Sequence, residues 1–133
     1  MERDVYSGRL RLYGEEHEET LRAANNYADS LLSLQRFEEA KSLLCKMMPV
    51  ARRVFGESNE STLKARTIYA RTLYEDPDAT LDDIRKAVAT LEDRERIARR
   101  VFGGAHPLTE GLEGDLRDAR AALRARETPA SSA

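Results

Sequence analysis

Two histidines and one cysteine are the residues of this chain best suited to carry out chemistry. His17 and His106 could ligate a metal ion or transfer a proton, because an imidazole does both near neutral pH. Cys45 could act as a nucleophile if a neighbouring base deprotonated it, but no histidine lies near it in the sequence. It lies within the apolar stretch 43–48, which predicts a buried, inert thiol.

Both histidines occupy equivalent positions of an internal repeat, which favours a structural role. Residues 12–21 reappear at 54–63 and, in shorter form, at 101–109. The steps between copies are 42 and then 47 positions, counted on Gly14, Gly56 and Gly103. Asn59 stands at the histidine position of the middle copy, and either side chain can cap a helix N-terminus. We therefore predict helix caps at these positions, and neither a metal site nor a catalytic site.

Each repeat unit reads as two amphipathic helices joined by a turn. In the first unit, apolar residues recur at three- and four-residue steps over 21–31 and again over 37–50. The glycine supplies a left-handed helix stop, and the capping residue begins the next helix. An insertion at 75–80 accounts for the longer second step, and Thr80 with Asp83 predicts a variant capping box after it. Pro49, inside the second helix of the first unit, predicts a kink.

The repeat predicts one helical domain over residues 1–126, followed by a disordered tail at 127–133. The domain divides into a half-unit stub at 2–13, repeat one at 14–55, repeat two at 56–102 and a terminal helix at 103–126. Because the first and last helices lack a partner helix, their edges could bind a second copy of the chain.

Composition excludes several classes of function. The net charge of -2 comes from 22 basic and 24 acidic residues that are mixed along the chain, so we expect no nucleic-acid partner. The longest apolar runs fall far short of the roughly 20 residues that a membrane helix requires, so we expect no membrane span. A single cysteine forms no internal disulfide, and the N-terminal residues lack a signal-like apolar core. We therefore expect a cytoplasmic protein.

These residues resemble the 42-residue tetratricopeptide repeats (TPR) of the kinesin light chain type. The family's junction of an aromatic residue, glycine, two residues, His-Pro, one residue and threonine is complete at 102–109 and lacks the proline in the earlier copies. The helix signatures are visible at 25–28 and 36–40, whereas Ile84-Arg85-Lys86-Ala87 departs from the second of them. The resemblance covers about residues 5–123. It implies an all-α fold, a right-handed superhelix of antiparallel helical hairpins with about five long helices and a short N-terminal helix.

In such a stack the first helix of each unit lines a concave face, where the family binds its ligands. The resemblance implies ligand contacts at two sets of positions, Arg22, Asn25, Asp29, Leu32 and Ser33 in the first unit and Lys64, Thr67, Arg71, Tyr74 and Glu75 in the second. The Asn25 amide could both donate to and accept from a peptide backbone. Because Arg22, Lys64 and Arg71 could bind carboxylates, we expect a partly acidic peptide. The alternative for each residue is an ordinary solvated position on a helix.

We therefore expect a non-catalytic scaffold or adaptor that binds a protein or peptide, with no cofactor and no enzymatic activity. The alternative is a structural self-assembly module, or a fragment of a larger repeat protein. The basic run at 94–100 could bind an anion, but Glu92 with Arg96 and Glu95 with Arg99 predict an ion-paired, exposed helix face.

Overall fold

The structure, a computed structural model, describes residues 2–128, and within that range every regular element is an α-helix. The six helices are α1 Glu2–Tyr13, α2 Glu18–Ser33, α3 Phe37–Phe55, α4 Glu60–Tyr74, α5 Leu81–Phe102 and α6 Pro107–Glu127. The predicted insertion at 75–80 is the connection between α4 and α5. Glu127, assigned above to the tail, ends α6, and residues 129–133 of that predicted tail lie outside the described range.

Helices α2, α4 and α6 each begin at the predicted cap. Nδ1 of His17 and of His106 accepts the N–H group two residues further on, at 3.0 and 3.1 Å. Asn59 Oδ1 accepts two backbone N–H groups, at 2.8 and 3.2 Å. Each imidazole also packs against the aromatic ring that ends the preceding helix, with ring centroids 4.4 and 4.7 Å apart. The capping role predicted for the histidines is confirmed.

The predicted helix stops are also present. Gly14, Gly56 and Gly103 have φ values of 81°, 85° and 90°, in the region that side chains disfavour. At the start of α5, Thr80 Oγ1 accepts the N–H of Asp83 at 3.1 Å, and the Asp83 carboxylate accepts the N–H of Thr80 at 3.2 Å. These hydrogen bonds lower the pKa of Asp83. The capping box therefore restarts the chain after the insertion, as predicted.

The helices pack in chain order, and the first helices of successive units also pack against one another. Each helix contacts the next, and α4 additionally contacts α2 and α6. Helices α2, α4 and α6 form one layer, called here the first-helix layer, and α1, α3 and α5 lie behind it. The backbones of α1, α3 and α5 lie farther apart than those of the first-helix layer, although Tyr6 Oη of α1 donates to Met47 Sδ of α3 at 3.5 Å. This arrangement confirms the predicted all-α stack of helical hairpins.

The interiors of the two complete units differ in polarity. In the first unit, Ala24 and Met47 pack within an apolar cluster. The equivalent residues of the second unit, one repeat step later, are Arg66 and Arg94. Both guanidinium groups pair with Glu57, at 3.5 and 3.4 Å. Burial lowers the pKa of Arg66, and the negative charge of Glu57 opposes this effect.

The prediction of a buried Cys45 is wrong, because this residue is exposed on α3. Leu44, Met47 and Met48, which flank the cysteine in the sequence, form the buried face of α3. A helix turns by about 100° per residue, and Cys45 therefore lies beside the buried face and not within it, where its thiol interacts with Tyr69 of α4. Pro49 lies inside α3, which is continuous over Phe37–Phe55, and the predicted kink stays a prediction.

A candidate groove on the first-helix layer

The first-helix layer contains a groove of about 350 Å³ that all three of its helices line. Predicted ligand-contacting residues in this groove are Asn25, Asp29, Lys64, Thr67 and Arg71. The remaining wall comes from α6 and from neighbouring positions of α2 and α4, namely Asn26, Glu60, Ile68, Pro107, Leu108, Gly111, Leu112 and Asp115. The groove therefore joins residues that are up to 90 positions apart in the sequence.

The structure places the other predicted contacts outside this groove. Arg22 is exposed and pairs with Glu19 at 2.7 Å. Tyr74 is a buried member of the core between α4, α5 and α6. Three further positions do not line the groove either: Leu32, which is buried, and Ser33 and Glu75, which are exposed. The resemblance assigned these positions by their place in the unit, whereas the local packing of α2 and α4 turns their side chains elsewhere.

Asn25 is held in the wall of the groove by one hydrogen bond, and its side-chain oxygen has no donor in the described range. Its side chain is only 5% exposed, and its Nδ2 donates to the backbone carbonyl of Ser61 at 3.0 Å. This bond links α2 to α4 and settles which end of the amide points toward α4. The Oδ1 atom is buried and accepts no hydrogen bond within the described part of the chain. A buried acceptor without a donor costs about 1–3 kcal/mol, so a ligand N–H group that reached it would be stabilised.

Lys64 and Thr67 form the middle of the α4 wall. Lys64 is exposed, so its ammonium group is accessible to a ligand. The Thr67 hydroxyl donates to the carbonyl of Leu63 at 2.8 Å, one turn earlier in the same helix. Because that donor is used, the hydroxyl oxygen can act toward a ligand only as an acceptor.

Arg71 lies between carboxylates that come from two helices. Its Nε donates to Glu75 Oε2 at 2.7 Å, and its Nη1 lies 3.4 Å from Asp29 Oδ1. Although burial alone lowers the pKa of Arg71, hydrogen bonding and the charges of Glu75 and Asp115 raise it overall. The guanidinium group is thus held within the protein and is less available to a ligand carboxylate than the sequence suggested.

Asp115 of α6 completes this end of the groove and is its most perturbed carboxyl group. Burial raises its pKa to about 6, and the negative charges of Glu75 and Asp118 add to the effect of burial. Arg71 acts in the opposite direction and only partly offsets the increase. Burial and the nearby carboxylate of Asp115 likewise raise the pKa of Tyr74.

The α6 wall was missed in the sequence analysis. Leu108 and Leu112, which are buried, are the apolar residues of this wall, and they lie in the groove with Ile68 of α4. The signal that could have found it is the third copy of the repeat. Asn26 and Ile68, one repeat step apart, stand at the position that Asp115 occupies in α6. Extending the predicted concave positions to that copy gives Gly111, Gly114 and Asp118 on α6. It would therefore have found Gly111 of the α6 wall but not Asp115.

Comparisons with known proteins add no identity to this geometry. No family model matches the sequence, and no curated protein is significantly similar to it. Among residues 2–128, no group of three or more histidine, cysteine, aspartate or glutamate side chains is arranged to hold a metal ion. The helices in that range are all too short or too polar to cross a membrane.

Proposed function

We propose that this chain is a non-catalytic scaffold of the TPR type that binds an extended segment of another protein in the groove of the first-helix layer. The observation that carries the proposal is that α2, α4 and α6, the first helices of three successive units, contact one another and jointly line one groove. Each of these helices follows a positive-φ glycine and begins at a capping side chain, so the repeated sequence signals define the three helices that line the groove.

The chemistry of the groove fits an extended polypeptide. A backbone N–H group that reached the unsatisfied acceptor of Asn25 would be stabilised, and Leu108 with Ile68, each 9% exposed, offers apolar lining for a side chain. Because packed helices form the walls, the groove exists before the ligand arrives. Binding then costs little ordering of the protein, and the contacts contribute more fully to affinity.

The test uses a peptide-display selection on the full chain, followed by affinity measurements on two glycine variants. Gly111 lines the groove, and a Cβ atom added there meets no atom within 4 Å. Gly114, on the same helix, has equal space but does not line the groove. Gly111→Gln should lower the affinity of selected peptides at least about tenfold by filling the groove, whereas Gly114→Gln should leave it unchanged. Equal affinities for both variants would place binding elsewhere.

Self-association through α1 is a second candidate function. Val5 of α1 is 46% exposed, whereas Met47, at the equivalent position of α3, is 1% exposed. Leu12 and Tyr13 are also exposed on α1, at 72% and 46%. A helix packed on this face, from a second copy or from a longer parent chain, would bury Val5 as Met47 is buried, whereas Leu12 corresponds to Val54, which is 40% exposed on α3. Light scattering on the native chain and on Val5→Ser tests it: a dimer should dissociate in the variant, and a native monomer at high concentration would exclude it.

The opposite end of the stack does not favour association of this kind. Ala28 and Leu31 of α2 are buried, and Ala28 packs in a cluster with Leu44 and Met48 of the second helix of its unit. The equivalent residues of α6 are Arg117 and Arg120, and both are exposed. Arg120 pairs with Glu92 of α5 at 2.8 Å. We therefore assign self-association, if it occurs, to the α1 face and not to the α6 face.

A cytoplasmic location is part of the proposal. The exposed thiol of Cys45 has no second cysteine in the chain with which to pair. Such a thiol persists in reduced form in a reducing compartment, whereas an oxidising one would drive it toward disulfides with other molecules.

A further inference from the structure

We propose that the groove selects a segment that carries a lysine or arginine, and that this side chain binds among the carboxylates at the C-terminal end of α4. The inference rests on the proposed function, because it names the partner of the same groove. The relevant groups are Asp29 and Asp115, which line the groove, with Glu75 and Asp118 beside them. They are called here the acidic end of the groove.

The balance of charge at the acidic end leaves carboxylates without a cation. Three carboxylates, those of Asp29, Glu75 and Asp115, pair with Arg71 or act on it, and the charge of Asp118 acts on Asp115. Arg71 is already bound to Glu75 and Asp29, at 2.7 and 3.4 Å. Arg71 acts on Asp115 and Tyr74 hydrogen-bonds it, but no ion pair within 4 Å involves Asp115 or Asp118 among residues 2–128. A basic side chain entering from the groove would supply the missing charge.

The cations on which an acidic ligand would depend are largely occupied. Arg22 lies outside the groove and pairs with Glu19 at 2.7 Å, and Arg71 is held as described. Lys64 is the exposed cation of the groove, and Glu60, four residues earlier on the same helix, also lines it. A partly acidic peptide would therefore meet more negative than positive charge, which favours a basic segment instead.

The pKa of Asp115 is raised first by burial and then by its acidic neighbours. Burial and the charges of Glu75 and Asp118 hold its pKa near 6 despite Arg71, so part of the population is protonated in mildly acidic solution. A ligand cation placed beside Asp115 would favour the ionised form and return a proton to the solvent. Binding should accordingly weaken as the pH falls below about 6.

Asn25 independently points to a ligand at this place. Its Oδ1 is buried in the groove wall and lacks a donor among the described residues, although the side chain is rigidly held through Ser61. Asp29 follows one helical turn later, about 5–6 Å along α2. An extended chain rises about 3.3 Å per residue, so one segment can place a backbone N–H at Asn25 and a basic side chain at Asp29 about two residues apart.

A divalent metal ion is a poorer occupant of the acidic end. The described residues contain no set of three or more carboxylate, histidine or cysteine groups arranged closely enough for a metal.

The test is a double-mutant cycle between ligand and protein. Peptides selected by display on the full chain are synthesised with their basic residue kept or changed to glutamine. Both forms are titrated against the native protein and against the isosteric double variant Asp29→Asn, Asp115→Asn. On the native protein the change to glutamine should weaken binding about tenfold, and on the double variant less than about twofold. Circular dichroism verifies that the double variant is folded.

The outcomes separate the two proposals. Selected peptides that Gly111→Gln blocks, but that show no preference for lysine or arginine, would overturn the basic-segment inference and leave the groove proposal standing. A lysine effect of equal size on the native protein and the double variant would also overturn it. Peptides that Gly111→Gln does not affect, or a selection that yields none, would overturn both.

Discussion

Replacing Asp115 by asparagine should stabilise the protein at neutral pH, although it removes a charged partner of Arg71. The folded protein holds the pKa of this carboxyl near 6, against an ordinary value of 3.8. Burial, Glu75 and Asp118 raise the pKa, while Arg71 lowers it. Since the folded state resists ionisation of Asp115, a neutral side chain of the same shape removes a destabilising charge.

The size and pH dependence of the effect follow from the shift. Between about pH 4 and pH 6 the folded state binds more protons than the unfolded state, so the free energy of unfolding falls as the pH rises through this interval. Two pKa units correspond to about 2.7 kcal/mol, and the partial exposure of the side chain reduces this to about 1–2 kcal/mol. Asp115→Asn should show that gain above about pH 7, and the gain should vanish below about pH 4.

Urea unfolding followed by circular dichroism at several pH values measures this difference directly. The control is Asp82→Asn, which removes a carboxylate that is 93% exposed at the start of α5. The control should not reproduce the pH-dependent gain of Asp115→Asn. A destabilised Asp115→Asn variant at neutral pH would refute the reasoning, because it would mean that the pair with Arg71 outweighs burial.

Three further predictions concern caps, stops and the thiol. Asn59→Ala removes an acceptor of two backbone N–H groups and should lower the free energy of unfolding by about 1–2 kcal/mol in urea. Gly103→Ala, at a φ of 90°, should cost about 1–3 kcal/mol, whereas Gly114→Ala within α6 should stabilise by up to about 1 kcal/mol; similar values for both would contradict the role of φ. Cys45 should react with a thiol reagent in the native protein as fast as in urea, and strong native protection would contradict its exposure.

Much of the fold was predictable because residues next to each other in the sequence determine where the helices begin and end. A glycine that stops one helix and a capping side chain three residues later act within a few residues, and their pattern is visible without any tertiary contact. The insertion could be placed because the 42- and 47-residue steps agree on its two sides. These signals predicted the starts of α2, α4, α5 and α6.

The groove was only partly predictable because its walls depend on packing between units. Asn25 and Arg71 were assigned to it from the sequence. However, the bond from Asn25 to Ser61 forms only because α2 packs against α4, and the pair of Arg71 with Glu75 forms where α4 ends. Asp115 was not assigned at all, since it belongs to a third unit that has only its first helix. The error at Cys45 had the same origin: an apolar run does not specify which of its members faces the core.

The stacking of first helices also sets a spacing for any chain that crosses them. Asp29, Arg71 and Asp118 occupy one repeat position on three neighbouring helices. Packed helices lie about 8–10 Å apart, and an extended chain advances about 3.3 Å per residue, so a crossing segment would meet a new helix at about every third residue. The insertion at 75–80 joins α4 to α5, and α4 still contacts both α2 and α6. A segment that crossed the helices would therefore present one contact to each helix at about every third residue, whereas a segment that ran along α2 would follow the closer spacing of Asn25 and Asp29.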